Sequence, residues 1–185
     1  MTAPSKLEAV RIPARLRGFQ AGEAEVFDVT LSGAQVEAIV PSRQPARGTL
    51  LSAMVDAHAH IDKNYTVREA GAAEGNLFAA IERMAAHRAR WTAQSLRTRM
   101  LRALDEAWRA GTRALRTHLD WGGAEAPVSL AVLEQLRDEW RGRIELQFVA
   151  LAPLDLFAEA DAGERIAQAV RRAGGVLGAF VYRND

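Results

Sequence analysis

Two histidines separated by one residue are the feature of this sequence that points most directly to chemistry. They lie in the segment Val55–Lys63, with the sequence VDAHAHIDK. If the segment forms a β-strand, His58 and His60 point to the same side of it, because side chains alternate between the two faces. Neutral imidazole is a common ligand of zinc and iron, so the pair is able to bind one divalent metal ion. The alternative is two ordinary surface histidines.

The residues around the pair favour the metal site over that alternative. Met54 and Val55 are apolar, alanines fill the alternate positions, and Ile61 follows. They predict a buried strand within residues 49–61 that ends near the histidines, where open α/β sheets and barrels place their active sites. Asp56 shares the face of the two histidines and is expected to orient or neutralise them.

A second predicted strand, Thr112–Asp120, ends in two more candidate residues. Parallel strands present their carboxyl ends at one edge of a sheet, so His118 and Asp120 are expected to lie near the histidine pair. His118 either supports the site or contacts substrate, or it is a histidine satisfied by a backbone carbonyl.

Several other polar residues leave two interpretations open. Asp62 is a candidate for supporting the metal ligands and Lys63 for contacting a substrate anion, but both also suit a strand end. Gln147, among the apolar residues of a third strand, either points into a barrel interior or is a satisfied buried amide. His87 lies among arginines on a helix and is expected to face solvent. The polar residues 182–185 either face the site or form a frayed end.

The elements that would position these residues follow from hydrophobic periodicity. Residues 7–52 predict short strands, with a hairpin of Val26–Leu31 and Gln35–Val40 joined at Ser32-Gly33. From residue 53 onward strands and helices alternate. The predicted elements are a loop over 64–76, a helix from Leu77, a helix capped by Thr92 and ended by Gly111, strand Thr112–Asp120, helix Val128–Trp140, strand Ile144–Ala152, helix Gly163–Ala173 and strand Val176–Tyr182.

Strands separated by helices predict an α/β fold with a parallel sheet of right-handed βαβ units. Four such strands form either a small open sheet or the first half of an eight-stranded barrel. A half barrel leaves an edge strand with unpaired backbone groups, which suggests an incomplete chain. The expected organisation is an N-terminal β segment over residues 1–52, followed by a partial barrel over residues 53–185.

The composition excludes several classes of function. The 185 residues include 24 Lys+Arg and 23 Asp+Glu, and a net charge of +1 indicates neither a nucleic-acid nor a membrane partner. The absence of cysteine excludes disulfides, thiolate metal sites and cysteine nucleophiles. No G-x-S-x-G motif and no phosphate-binding glycine loop occurs. Without a bilayer-spanning segment or the apolar part of a secretory signal, a cytoplasmic location is expected.

The motifs resemble the cytosine deaminase-like branch of the amidohydrolase superfamily, which includes N-isopropylammelide amidohydrolase. VDAHAHIDK is similar to the metal motif of the first strand of that family. The further matches, in the expected order, are Gly75–Phe78 with Ile81–Arg83, Gly111-Thr112 with Arg116–Asp120, and Ile144–Ala150. The resemblance covers essentially the whole chain, and residues 7–52 are similar to the first part of the small β-domain of such enzymes.

The resemblance implies the first four or so βα units of a distorted (β/α)8 TIM-type barrel. It also implies one divalent metal ion, zinc or iron, bound by His58 and His60. Water activated by the metal would attack an sp² carbon that bears nitrogen, in a heterocycle or small amide, and ammonia or an amine would leave. The residues expected to support the metal ligands or contact this small-molecule substrate are Asp62, His118, Asp120 and Gln147.

The sequence departs from the family pattern in two respects. The third metal histidine, the acid/base pair and a later aspartate of the family lie on strands five to eight, beyond Asp185. The isolated chain is therefore expected to bind metal weakly and to be inactive. In addition, Pro153 stands where cytosine deaminases have a substrate-reading glutamine, which argues against cytosine as substrate.

If the chain is part of a hydrolase, its site is completed either by a missing C-terminal half or by a partner, which includes a second copy of the chain. Two other interpretations stay open. Alternatively, the chain is a truncated, non-catalytic α/β module that self-associates through its open barrel edge. A small intact α/β metal-binding protein that resembles only the start of the family is a third interpretation.

Overall fold

The computed structural model describes residues 5–72, 75–159 and 161–181. The chain divides into two compact units, Met1–Ala53 and Met54–Asp185. Within the described ranges, no helix has both the length and the apolar character that a bilayer crossing requires.

The first unit is built on one four-stranded sheet. Its strands are β1 (Ser5–Arg11), β2 (Val26–Ser32), β3 (Gln35–Pro41) and β4 (Gly48–Thr49), in the order β3-β2-β1-β4. The predicted hairpin is confirmed, since β2 and β3 pair antiparallel with Ser32 opposite Gln35. Gly33 adopts φ +60 in its turn, a conformation that glycine reaches without a Cβ clash. A small core of Ile12, Phe27 and Val29 lies in this unit.

The second unit is an α/β structure whose four strands all run parallel. In chain order its elements are β5 (Met54–Ala59), α1 (Val67–Ala70), α2 (Leu77–Arg88), α3 (Ala93–Arg109), β6 (Thr112–Asp120), α4 (Val128–Glu139), β7 (Glu145–Pro153), α5 (Ala162–Arg172) and β8 (Val176–Phe180). The sheet order β5-β6-β7-β8 follows the chain. The predicted α/β class with a parallel sheet is confirmed.

One face of this sheet carries the core. Every second residue of β7, from Leu146 to Ala152, is buried. These side chains belong to one cluster with residues of β6 and of helices α3, α4 and α5, among them Leu115, Leu119, Met100, Leu104, Leu133, Leu136 and Ile166. The other face carries polar side chains such as Arg116, which pairs with Gln147, and His118, together with the apolar Val149. The alternation therefore separates a structural face from a face that is open to ligands.

Local sequence signals set the limits of α3 as predicted. Thr92 Oγ1 accepts a hydrogen bond from the Ser95 N–H (3.1 Å), and Ser95 Oγ accepts one from the Thr92 N–H (3.1 Å). This reciprocal capping box satisfies backbone donors that the first turn leaves unpaired. At the other end Gly111, with φ +89, follows the last turn and directs the chain into β6.

Two sequence predictions about β5 and the loop after it are wrong. The strand expected within residues 49–61 to be buried is exposed along most of its length, and Val55 is 72% exposed. Its place at the end of the described sheet explains this, because the helical core packs mainly on β6 and β7. The loop predicted over residues 64–76 contains the one-turn helix α1.

Candidate functional site

The two histidines of VDAHAHIDK converge at the carboxyl end of β5. His58 lies in the strand and His60 directly after it. Their Nε2 atoms are 3.2 Å apart. The Ile61 N–H donates to Thr117 Oγ1 (3.2 Å), which ties the chain after His60 to the neighbouring strand. The two rings therefore lie on the same side of the chain, as predicted.

A backbone carbonyl determines which nitrogen of His60 carries the proton. Nδ1 of His60 lies 3.0 Å from the carbonyl oxygen of His118. Because a carbonyl only accepts, Nδ1 must donate, and the neutral ring then has its lone pair on Nε2. Burial, followed by the nearby charge of Lys63, lowers the pKa of His60 and favours this neutral form. His60 is therefore prepared to donate its Nε2 lone pair to a cation.

His58 is held by the strand and by a second imidazole. Its backbone N–H donates to Asp56 Oδ1 (3.1 Å), and its ring stacks on His118 with centroids 3.9 Å apart. Burial, then the charge of His58, lowers the pKa of His118. A neutral His118 avoids placing a second positive charge beside a metal site. Asp56 thus orients the His58 backbone, and His118 contacts both histidines of the pair.

The spacing of the pair suits a shared metal ion. Zinc–nitrogen bonds are about 2.0–2.1 Å long, so two ligands on a tetrahedral ion lie about 3.4 Å apart. The observed separation of 3.2 Å is close to that value. Among the described residues, no group of three or more histidine, aspartate and glutamate side chains is arranged to hold a metal. The residues present therefore fit two positions of a metal site.

Asp62, two residues after His60, is fully buried. Its backbone carbonyl accepts a hydrogen bond from Arg99 Nε (2.6 Å), whereas neither carboxylate oxygen has a partner among the described residues. Burial raises the pKa of Asp62 to about 7. The predicted supporting role of Asp62 stays a prediction, but its environment is that of a carboxyl group able to exchange a proton near neutral pH.

Asp120 joins two cations next to His60. Its Oδ1 is 2.7 Å from Lys63 Nζ, and its Oδ2 is 3.3 Å from Arg88 Nη1. The three side chains are 17–30% exposed. The cluster brings together the strand end after β5, the end of β6 and the end of helix α2.

A cavity of about 680 Å³ opens beside this cluster. The volume is in the range of small-molecule sites. Helix α2 forms one apolar wall through Leu77, Ile81 and Met84, and Leu151 and Pro153 of β7 contribute to another. The polar residues that line it are His60, Lys63, Arg88 and Asp120. A largely apolar cavity with polar groups at one end is suited to a flat organic molecule.

Gln147 lies away from this cavity. It is exposed on the open face of the sheet, where its Oε1 accepts from Arg116 Nε (3.1 Å) and Nη2 (2.8 Å). Its Nε2 donates to Glu145 Oε1 (2.9 Å). The structure thus does not place Gln147 with the histidine pair, and the alternative of a buried amide is wrong.

The prediction for His87 is also wrong. His87 is buried, with 4% exposure, and does not face solvent. Its Nδ1 accepts from Trp91 Nε1 (2.9 Å), and its Nε2 lies 3.2 Å from Glu69 Oε2. These contacts join α1 to the end of α2, an arrangement that the neighbouring arginines did not indicate. The predicted rim at residues 182–185 lies outside the described residues.

Arg88 is the site residue that sequence reasoning missed. It continues the stripe of Leu77, Ile81 and Met84 at intervals of three and four residues, so helical spacing places all four on one face. A cation that ends an apolar helical stripe is the signal that was available. The sequence alone did not show that Arg88 pairs with Asp120, which is distant in the chain.

A curated relative is similar in sequence to most of this chain. No protein-family model matches the chain. A pterin deaminase from Rhizobium rhizogenes is 33% identical over 138 residues, which are 74% of this chain and 32% of that protein. The chain therefore spans about a third of the length of this relative.

Solved deaminase structures share the fold. The 5-methylcytosine deaminase from Klebsiella pneumoniae aligns with a TM-score of 0.67 at 19% identity, over 95% of this chain and 50% of that chain. N-isopropylammelide isopropylaminohydrolase from Burkholderia multivorans gives 0.59 at 20% identity, over 98% and 54%. A zinc-bound adenosine deaminase from Xanthomonas campestris gives 0.53 at 17% identity, over 84% and 44%. The resemblance predicted from the sequence is confirmed, and the non-catalytic alternative is not favoured.

Proposed function

Because this chain is similar in sequence and fold to part of known amidohydrolase-superfamily deaminases, we propose that it contributes the first metal ligands of a hydrolase. The reaction would break a C–N bond of a nitrogen heterocycle. The observation that carries the proposal is the convergence of His58 and His60, with their Nε2 atoms 3.2 Å apart beside a cavity.

The four parallel strands would form the first half of a (β/α)8 barrel. Two observations support this: the order of strands in the sheet follows the chain, and the chain aligns with about half of the 5-methylcytosine deaminase structure. Active sites of such barrels lie at the carboxyl ends of the strands. His58, His60, His118 and Asp120 all lie at or directly after those ends.

The histidines of this chain would have distinct roles. His58 and His60 hold one divalent ion, zinc or iron, and the zinc-bound adenosine deaminase neighbour supports a metal of this kind. The ion would supply water activation for attack on the carbon that bears the leaving nitrogen. The His118 carbonyl keeps the His60 proton on Nδ1, and the His118 ring holds His58 in place.

The cavity beside His60 would bind the substrate. Its apolar walls suit a planar heterocycle, and Lys63, Arg88 and Asp120 provide polar contacts at one end. The curated relative is named for a pterin and one structural neighbour for 5-methylcytosine, so an aminated heterocycle is the substrate class we propose. Cytosine is not favoured, because Pro153 has no side-chain amide to pair with it.

Metal binding tests the proposal directly. The purified chain, stripped with chelator, is titrated with zinc or ferrous ion, and the bound metal is measured by calorimetry and elemental analysis. We expect weak binding near one equivalent, with both His58→Ala and His60→Ala reducing the affinity at least about tenfold through loss of a ligand.

A matched variant separates ligation from support. His118→Phe keeps a ring stacked against His58 but removes both ring nitrogens, while the backbone carbonyl that contacts His60 remains. We expect this variant to retain metal. Unchanged metal affinity in His58→Ala and His60→Ala would contradict the proposal.

A further inference from the structure

The charges that line the cavity do not cancel. Lys63 and Arg88 contribute two positive charges, whereas Asp120 contributes one negative charge and contacts both. The side chains are 17–30% exposed, so water screens them only partly. One positive charge therefore remains in excess at one end of an apolar cavity.

Arg88 has N–H donors that its ion pair does not use. Its Nη1 lies 3.3 Å from Asp120 Oδ2, and within the described chain this ion pair is the polar contact of the Arg88 side chain. A guanidinium carries five N–H donors, so those on Nε and Nη2 remain available. Lys63 Nζ donates to Asp120 Oδ1 in a short bond of 2.7 Å, and its other two donors lack the planar arrangement of a guanidinium.

Gly122 leaves space for the guanidinium of Arg88. A Cβ at position 122 would lie 2.9 Å from Arg88 Nη2 and 3.4 Å from Cζ, closer than side chains ordinarily pack. The backbone of Gly122 does not have a positive φ, so its conformation alone does not require glycine. The missing side chain therefore leaves space for the planar end of Arg88 beside the end of β6.

We propose that Arg88 is a specificity residue that selects planar heterocycles carrying an anionic substituent, by donating from Nε and Nη2 to a carboxylate or equivalent oxyanion. This inference rests on the proposed function and deepens it by naming the substrate class. The planar fork of a guanidinium matches the two oxygens of a carboxylate. Asp120 holds the fork from one side, and the ring of the ligand would lie along the apolar wall of α2.

A matched pair of probes tests the selectivity without turnover. Naphthalene-2-carboxylate and naphthalene-2-carboxamide have the same ring and nearly the same shape but differ in charge. Binding of each to the full chain at pH 7.5 is measured by calorimetry and by ligand-detected NMR. We expect the carboxylate to bind about tenfold more tightly than the carboxamide, as a charge-assisted hydrogen bond predicts.

Three variants assign the preference to Arg88. Arg88→Gln should abolish it and Arg88→Lys should retain part of it. Gly122→Ala should weaken it without any change in net charge, since the new methyl group displaces the guanidinium. The control Arg90→Gln removes an equal charge from an exposed residue two positions along and should leave the preference intact.

The outcomes are decisive. Equal affinity for the two probes, no binding of either, or a preference that survives Arg88→Gln would overturn the proposal. A purely structural role for Arg88 would lower the stability of Arg88→Gln, measured by urea unfolding, without altering the ratio of the two affinities. Since this assay needs no metal, a preference that depends on Arg88 alongside metal binding unaffected by His58→Ala and His60→Ala would mean that the proposed function alone fails.

Discussion

At the scale of single residues, the candidate site depends on neutral side chains held close together. Burial lowers the pKa of His60 and His118, and the same cause raises that of Asp62 to about 7. In each case removal from water penalises the charged form. The neutral forms of His60 and His118 are thereby favoured, so His60 can offer its Nε2 lone pair to a cation, whereas Asp62 exchanges its proton near neutral pH.

Asp62 should make stability fall as pH rises. Its ordinary pKa of 3.8 applies to the unfolded chain, whereas the folded value is about 7. Between these two values the native state binds a proton that the unfolded state does not. The free energy of unfolding therefore decreases with pH, by at most about 1.4 kcal/mol per pH unit, and levels off above 7. Urea unfolding at pH 5, 6, 7 and 8, with chelator present, measures this slope.

The difference between wild type and Asp62→Asn isolates this effect. His60 and His118 contribute an opposite slope below their ordinary pKa of 6.5, because burial keeps them from binding a proton that the unfolded chain takes up. That slope is common to both proteins and cancels. The control Asp138→Asn removes an exposed carboxylate that pairs with Arg141, and it should keep the wild-type slope. Identical slopes in wild type and Asp62→Asn would disprove the assignment.

At the scale of secondary-structure elements, the packing of β8 beside β7 requires a glycine at position 175, next to the Phe148 ring. A Cβ at Gly175, just before β8, would lie 2.2 Å from Cζ of Phe148, whose ring is fully buried. Real Cβ atoms do not approach so closely, and a buried ring has little room to move. Arg137 covers the same ring, with its Cζ 5.6 Å from the centroid, and donates to the Ala173 carbonyl.

Gly175→Ala should therefore destabilise the chain by about 1–3 kcal/mol, as expected for overpacking in a core. Gly123→Ala is the matched control, since a Cβ there meets no atom within 4 Å. Urea unfolding gives both values. In the double variant Gly175→Ala/Phe148→Leu the smaller side chain should relieve the clash. The destabilisation of the double variant should therefore be smaller than the sum for the two single variants, by at least about 0.5 kcal/mol. Strict additivity would show that the ring is not the obstacle.

At the scale of the whole molecule, the described residues supply two of the metal ligands that the proposed function requires. They bring together two histidine nitrogens, and no group of three potential metal-binding side chains occurs among the described residues. Catalytic zinc sites use three protein ligands and keep one position for water or substrate. The chain also spans only about half of the solved deaminases with which it aligns.

We expect the 185-residue chain by itself to show no turnover. The physical reason is that two imidazoles hold an ion too weakly to keep it in place, and no further ligand is provided by the described residues. Ammonia release from aminated heterocycles, followed with zinc or ferrous ion in excess, measures this. Sustained turnover that is abolished by His60→Ala would contradict the expectation and would mean that this chain completes its own site.

The sequence alone determined the features that depend on local spacing. The period of two in VDAHAHIDK put His58 and His60 on one side, and the periods of two and 3.6 predicted β6, α3 and the parallel α/β order. Tertiary structure decided what depends on distant neighbours. It buried His87 and Asp62, exposed β5 and Gln147, chose the His118 carbonyl as partner of His60, and paired Arg88 with Asp120. Burial and pairing depend on which elements pack together, and no local window of sequence contains that information.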